Sequence, residues 1–284
     1  MWPEFLRRNR HGSTKELMMN QRCKVTFIST LVVLCGCLQM QTVITVKRDG
    51  SGTVRQRLVM KREIVMMMNA FSNQAKEGRA KKTSGLFDQQ ELRKKAASMG
   101  VTYVSGKKIS TESGDGYEAV YSFKDINRIS VGESPDAQVG IIPGIEADSS
   151  KPKKKITFEF TKGSPASLVI HLPPSEKNKQ SGHDTTKPQN VDDDLMMAKM
   201  ILKGMRITTV VEVQGLVTES DATFREGQKI TLINVDFDKL LDDETLVRKA
   251  MEYHDIPEDE ATELMKKHPG LAIEQKKQIV VRFK

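Results

Sequence analysis

The sequence predicts an α+β fold, with antiparallel β-sheet packed against amphipathic α-helices. Two observations carry this expectation. Apolar and polar residues alternate in paired runs joined by glycine-bearing turns, at 43–59 and 155–172, as in β-hairpins. Elsewhere apolar residues recur every three or four positions between helix-capping residues, most clearly from Asp88 to Gly100. With 284 residues the chain can build one good core or two modest ones.

The front of the chain holds no such pattern. Arg22 and Lys24 precede an apolar run, Val25 to Leu34, broken by Thr26, Ser29 and Thr30. A positive front, a short apolar core and a small-residue end make an export signal. The rival readings are an uncleaved membrane helix, for which the run is short of the ~20 apolar residues required, and a buried helix, which the basic front argues against. The closing residues Leu34-Cys35-Gly36-Cys37 resemble the lipobox of bacterial lipoproteins: leucine three positions before cleavage, two small residues, then cysteine. The resemblance implies cleavage before Cys37, a diacylglycerol on its thiol and acylation of its new amine. Each buried CH₂ contributes ~0.8 kcal/mol, so two or three chains anchor essentially irreversibly. It further implies a cell-envelope protein facing the periplasm or exterior. Leu38 follows the cysteine, where an aspartate tends to retain lipoproteins in the inner membrane, so the outer membrane of a diderm cell is slightly favoured. Residues 1–36 are thus the expected signal. Residues 1–18 read as an over-extended start, because Met19-Asn20-Gln21-Arg22 is a more usual opening.

Residues 37–172 read as an N-terminal α+β region on a short tether. Val43 to Val46 and Thr53 to Val59 pair around Asp49-Gly50-Ser51-Gly52, a tight turn rather than a cation loop, since the other carboxylates of a calcium loop are missing. A helix is expected over 61–77, with Ile64, Met68, Phe71 and Ala75 on one stripe and the Met66–Met68 run filling core gaps. The next helix has Asp88 as N-cap, Glu91 three residues on as a capping box, Phe87 and Leu92 as a hydrophobic staple, and Gly100 as its stop. Strands follow at 101–104 and 117–123, with 106–116 as a polar connection. Tyr103, Tyr117 and Tyr121 fit either sheet core or a ligand pocket. A loop over 130–152 leads to a second hairpin, 155–161 with 166–172.

Pro173 to Asn190 is almost devoid of apolar residues and reads as a flexible linker or long loop. Residues 191–284 form a C-terminal α+β region, separate or part of the same domain. Asp192-Asp193-Asp194 open a helix ending near Gly204; their charge suits the helix dipole, and a metal cluster is the sharper alternative. Three strands, 205–213, 216–224 and 228–236, read as a meander. Asp242 and Asp243 start one helix and Pro257 another, stopped at Pro269-Gly270. Ile279, Val281 and Phe283 make a last strand that returns to the sheet.

Charge and composition exclude several functions. The chain carries +8, and its front accounts for half of that, leaving a mildly basic surface of about +4. Aromatics are few and not interleaved with basic runs, so nucleic acid is not an expected partner. Of three cysteines only Cys37 survives cleavage, which rules out an internal disulfide, a cysteine nucleophile and a cysteine metal site. There is no Gly-x-Ser-x-Gly elbow, phosphate loop or His-Glu-x-x-His, so no cofactor, metal or catalytic residue is assigned. His171, His183, His254 and His268 read as structural. The carboxylates Asp236, Asp238, Asp242, Asp243 and Glu244 lie where acids cap helices, and no aromatic sugar platform accompanies them.

Cys37 followed by Val43-x-x-Val46-x-x-Asp49-Gly50-Ser51-Gly52 resembles the mycobacterial LppM-type lipoproteins and related domains of unknown function, chiefly over residues 37–125. The resemblance implies a lipid-associated role and transfers no catalytic residue. The expected function is a non-enzymatic envelope module, anchored in the membrane through acylated Cys37, that binds a protein, lipid or cell-wall partner. The alternative is an envelope hydrolase in which Asp236, Asp238 and His254 converge in a cleft.

Overall fold

β1 (Leu38–Val46) and β2 (Gly52–Met60) pair over nine residues each, from Leu38 opposite Met60 to Val46 opposite Gly52. In the computed structural model the described residues are 38–62, 66, 87–112, 114–132, 155–173, 196, 199, 202–245, 263 and 268–284. The β1–β2 turn is built as its sequence suggests. Gly50 takes φ 83°, a left-handed conformation that suits glycine. Asp49 Oδ1 accepts from Ser51 N and Oγ at 2.9 and 2.7 Å, and these bonds hold its carboxyl below the usual range. A Cβ on Gly50 would lie 2.6 Å from the Phe160 ring, so the turn is also a packing contact.

Eight strands form the larger sheet, in the order β10-β11-β8-β1-β2-β4-β3, with β12 also pairing β11. Here β3 is Thr102–Thr111, β4 Gly114–Phe123, β8 Arg206–Val213, β10 Arg225–Glu226, β11 Lys229–Asp236 and β12 Leu271–Ile273. The β1–β8 ladder is parallel; the other ladders of this sheet are antiparallel. The smaller sheet is antiparallel, in the order β5-β6-β7-β13-β9: Ser130–Gly132, Lys155–Thr161, Ala166–His171, Gln278–Phe283 and Val217–Ser220. Ile44, Val54, Leu58 and Tyr121 of the larger sheet share one hydrophobic core with Phe158, Leu168, Val281 and Phe283 of the smaller one. Burying each such side chain contributes ~1.5–3 kcal/mol.

The architecture is therefore mostly β, and the expectation of an α+β fold is corrected. Two α-helices are described whole, α1 (Gln89–Met99) and α2 (Phe237–Asp242), with a short 3₁₀ turn at Ile126–Arg128. A second sheet, rather than amphipathic helices, covers the apolar face at the β1–β2 turn. Several strands escape a pattern reading because they lie at edges. In β3 the stretch 105–108 is Ser-Gly-Lys-Lys, and an edge strand with little buried surface needs no apolar alternation. The expected meander of 205–236 does not form. β8 pairs directly with β11, while β9, between them in sequence, crosses to the smaller sheet beside β13. The expected helices over 61–77, 192–203 and 257–267 lie almost wholly outside the described residues. Near 242, α2 ends at Asp242 and a further helical stretch opens at Glu244 after Asp243.

α1 forms as read. Asp88 accepts from Gln90 N and Glu91 N at 2.7 and 3.4 Å, and Gly100 closes the helix at φ 75°. Leu92, Ala96 and Met99 are its buried face. Glu91 accepts from Lys94 Nζ at 2.8 Å. Phe87 and Leu92 both reach over Gly106 of β3, where a Cβ would lie 3.1 and 3.2 Å from them. β1 begins at Leu38, the residue after Cys37.

Burial pulls the Lys95 ammonium of α1 down from its ordinary 10.5 to about 8. Between those values the folded chain binds fewer protons than the unfolded one, so stability rises with pH across that window; below it the cost is fully present. Lys95→Met should abolish the rise in urea midpoint between about pH 7 and about pH 10. Phe283 is fully buried at the C-terminus, its ring 6.3 Å from that of Phe160. Phe283→Ala should cost ~3–5 kcal/mol in denaturant unfolding.

Candidate functional site

Period-two alternation gives the larger sheet two unlike faces. Register aligns the outward side chains into rows across the strands. Lys107, Glu118, Arg57, Gln41, Thr208 and Asn234 make one row, each directly opposite the next, from β3 to β11. Six strands at ~4.8 Å spacing make this row ~24 Å long. The next row is Ser105, Val120, Arg55, Val43, Val210 and Thr231. Here the only cation, Arg55, stands in a strip of valines. A third row pairs Thr53 and Thr45 with Glu212 and Lys229.

This surface is able to form hydrogen bonds and is open from β3 to β1, while Val210 of β8 is buried. Gln41, Arg55, Arg57 and Lys107 are exposed, while Thr208 and Asn234 are half-buried. Lys107 Nζ lies 3.2 Å from Glu118 Oε1, and Thr208 Oγ1 donates to Asn234 Oδ1 at 3.1 Å. At the β11 end the face deepens into a groove of roughly 480 Å³, lined by Thr208, Thr231 and Asn234 with Phe224, Arg225 and Lys229. The groove offers hydroxyl, amide and cationic groups, and the Glu226 carboxylate, to a polar ligand.

The opposite face is core. There Thr209, Thr42 and Gln56 form a buried polar row among apolar neighbours. Tyr117 and Tyr121 are buried on this side, and burial raises both phenols. Tyr103 packs edge-on against Tyr121 at 6.1 Å, with the Arg93 guanidinium 4.8 Å above its ring. Of the two readings for the tyrosines, the structure supports sheet core.

The candidate hydrolase carboxylates are engaged separately. Asp236 is buried and accepts from Arg206 Nη2 across the β8–β11 pair. Asp238 Oδ1 accepts from Gly204 N at 2.6 Å. Glu244 pairs with Lys199, and Asp242 and Asp243 are exposed at the end of α2. His254, His183 and Asp192–Asp194 lie outside the described residues, as does the lipidation candidate Cys37. His171 Nε2 lies 3.1 Å from Glu159 Oε1 on the neighbouring strand, and His268 Nδ1 accepts from Gly270 N at 3.0 Å. Among the described residues no cluster of three or more His, Cys, Asp or Glu is placed to hold a metal ion. Nor is any helix there long and apolar enough to cross a membrane.

Sequence reasoning missed a buried carboxylate clasp. Glu274 accepts from Thr223 N and Oγ1 at 2.7 and 2.9 Å, and from Gln275 N and Lys276 N at 3.1 and 3.2 Å. It ties the β9–β10 connection to the β12–β13 connection and fixes one wall of the groove. Its principal partner, Thr223, lies 51 positions away, so no local signal announced it.

No protein-family model and no curated protein matches this sequence. By structure the chain is similar to the folded domain of the Mycobacterium tuberculosis LppM protein, solved by NMR. The identity is 10% and the TM-score 0.28, over 69% of this chain and 81% of that one. At that score the likeness is weak and transfers no residue roles.

Glu274→Gln replaces one acceptor oxygen with a donor facing N–H groups. Leaving a buried hydrogen-bonding group unsatisfied costs ~1–3 kcal/mol, and urea unfolding should show a loss of that size. An unchanged midpoint would mean the clasp is not structural.

Proposed function

We propose that this chain is a bacterial envelope lipoprotein, acylated at Cys37, whose two-sheet body is a non-enzymatic binding or assembly module. The observation that carries the reading is the outward face of the larger sheet. An uninterrupted polar row six strands wide, flanked by Arg55 and the Arg225–Lys229 groove, is a broad hydrogen-bonding platform. Such a surface suits an extended polar partner, a cell-wall polymer or another envelope protein, better than an enclosed small substrate. The lipobox supplies the location: a protein held at a membrane surface by acyl chains meets its partner by presenting a face to it.

The engaged carboxylates support the same reading over a hydrolase. Asp236 is tied up in its ion pair with Arg206, and Asp238 caps the backbone at Gly204. A glycosidase acid needs a carboxyl whose environment disfavours charge.

Two linked measurements test the reading. Full chain and Cys37→Ser are expressed with a palmitate analogue and membranes are fractionated; label and membrane association should both vanish with the thiol. In the same cells a photo-crosslinking residue replaces Gln41 on the platform or Lys162 in the β6–β7 turn. A discrete crosslinked species is expected from position 41 alone. A soluble, unlabelled wild-type chain, or identical crosslinking from both positions, would sink the proposal.

A further inference from the structure

The groove at the β11 end of the platform is shaped by a break in strand register. β11 follows β8 as far as Thr231 opposite Val210, then passes over Leu232 and resumes with Ile233 opposite Thr209. Residues two apart in a strand share a face; the extra residue lets Thr231 and Asn234, three apart, both stand on the outward face, while Leu232 is buried. The bulge is held from the other side of β11: Thr231 N donates to Phe224 O and Glu274 N to Leu232 O, both at 2.9 Å. Bulges that re-aim side chains in this way are concentrated beside functional sites.

Phe224 is the second unusual feature. Among the described residues every other phenylalanine belongs to the shared core or packs against it, whereas Phe224 is half-buried and lines the groove. The charges around it balance. Lys229 stands in register between Glu212 of β8 and Glu226 of β10, and Arg225 Nη1 donates to Gly227 O at 3.0 Å. Two cations and two carboxylates leave no excess of positive charge for a phosphate or carboxylate ligand to seek. Asn234 Oδ1 accepts from Thr208 Oγ1, which leaves the N–H groups of its amide to donate elsewhere. The groove therefore sets mixed donors and acceptors beside one aromatic ring.

We infer that this groove is a saccharide-binding site for a neutral glycan chain. The inference deepens the reading of the outward face as a binding platform and rests on it. A sugar hydroxyl donates and accepts at once, so it matches neighbouring amide, hydroxyl, carboxylate and guanidinium groups better than an anion does. A pyranose also presents a face of C–H bonds, which suits the negative π-face of Phe224. The groove volume of roughly 480 Å³ lies within the ~300–1,000 Å³ of small-ligand sites. Thr208 lines the groove and stands directly opposite Gln41 in the polar row, so a polymer seated there continues across the sheet. An extended polypeptide binds best by adding to a free strand edge. β11 offers none here, since β8 pairs one side of it and β10 and β12 the other.

The test uses the full chain purified in a sugar-free detergent. Hexamers of glucose, galactose and N-acetylglucosamine are the probes, and saturation-transfer NMR is the readout. At least one hexamer should bind and receive saturation chiefly on its ring C–H protons. Phe224→Ala should weaken that binding about tenfold, the size of one aromatic contact. Thr231→Val keeps the side-chain shape without the hydroxyl and should weaken it about fivefold, the size of one hydrogen bond. Both variants should keep the wild-type urea midpoint. Binding that both variants leave intact, saturation of none of the hexamers, or displacement of a bound hexamer by hexaglutamine or inorganic phosphate overturns the inference. If the crosslink from position 41 persists, that result leaves the platform reading standing; if the crosslink is lost as well, both fall.

Discussion

The parallel ladder between β1 and β8 is the constraint on which the rest of the structure depends. It joins residues 39–46 to residues 206–213, so the hairpin at the start of the body and the strands of its last third form one sheet. Met40, Ile44 and Val46 fall beside Ile207, Val211 and Val213, and all six are buried. A slip of one residue would turn these side chains to water and bring Gln41, Thr208 and Arg206 into the core, so the register is strongly specified. The same register aligns Gln41 with Thr208 and completes the polar row on the outside. Core and platform are two consequences of one pairing.

Two buried carboxylates, Asp236 and Glu274, and the exposed Asp221 then secure the edges that hydrophobic packing leaves loose. Arg206 and Asp236 close the β8–β11 pair at the end nearest Cys37. Glu274 gathers four donors beside the groove, and Asp221 Oδ1 accepts from Val280 N at 2.7 Å where β9 meets β13. These bonds join segments distant in sequence, and the buried Asp236 and Glu274 would each be left as a costly unsatisfied group if their partners were lost. They hold short strands, β9, β10 and β12, that bury too little to stay paired unaided. The groove exists because these edge strands are pinned.

The body is polar along β1. Leu38 begins the strand at one end and the smaller sheet joins at the other, with the polar row between them. A face of this kind offers several hydrogen-bonding groups of modest strength rather than one deep pocket.

Sequence alone determined the features that neighbouring residues control. The Asp49–Gly52 turn, the Asp88 and Gly100 caps, both hairpins, the inward set Ile207, Val211, Ile230 and Leu232, and the returning C-terminal strand were all legible, because each depends on capping, turn chemistry or period-two alternation within a short window. The expected export signal is likewise a local pattern, read from charge and apolar length, and it lies outside the described residues. Tertiary structure decided everything that pairs segments far apart: the parallel β1–β8 ladder, the transfer of β9 to the smaller sheet, the Glu274 clasp and the polar platform. It also replaced the expected helical cover with a second sheet, and turned the polar stretch of β3 into an edge strand. The physical reason is common to all of these. Strand pairing is set by where buried faces find one another after long loops close, and a single strand carries no record of which partner will lie beside it.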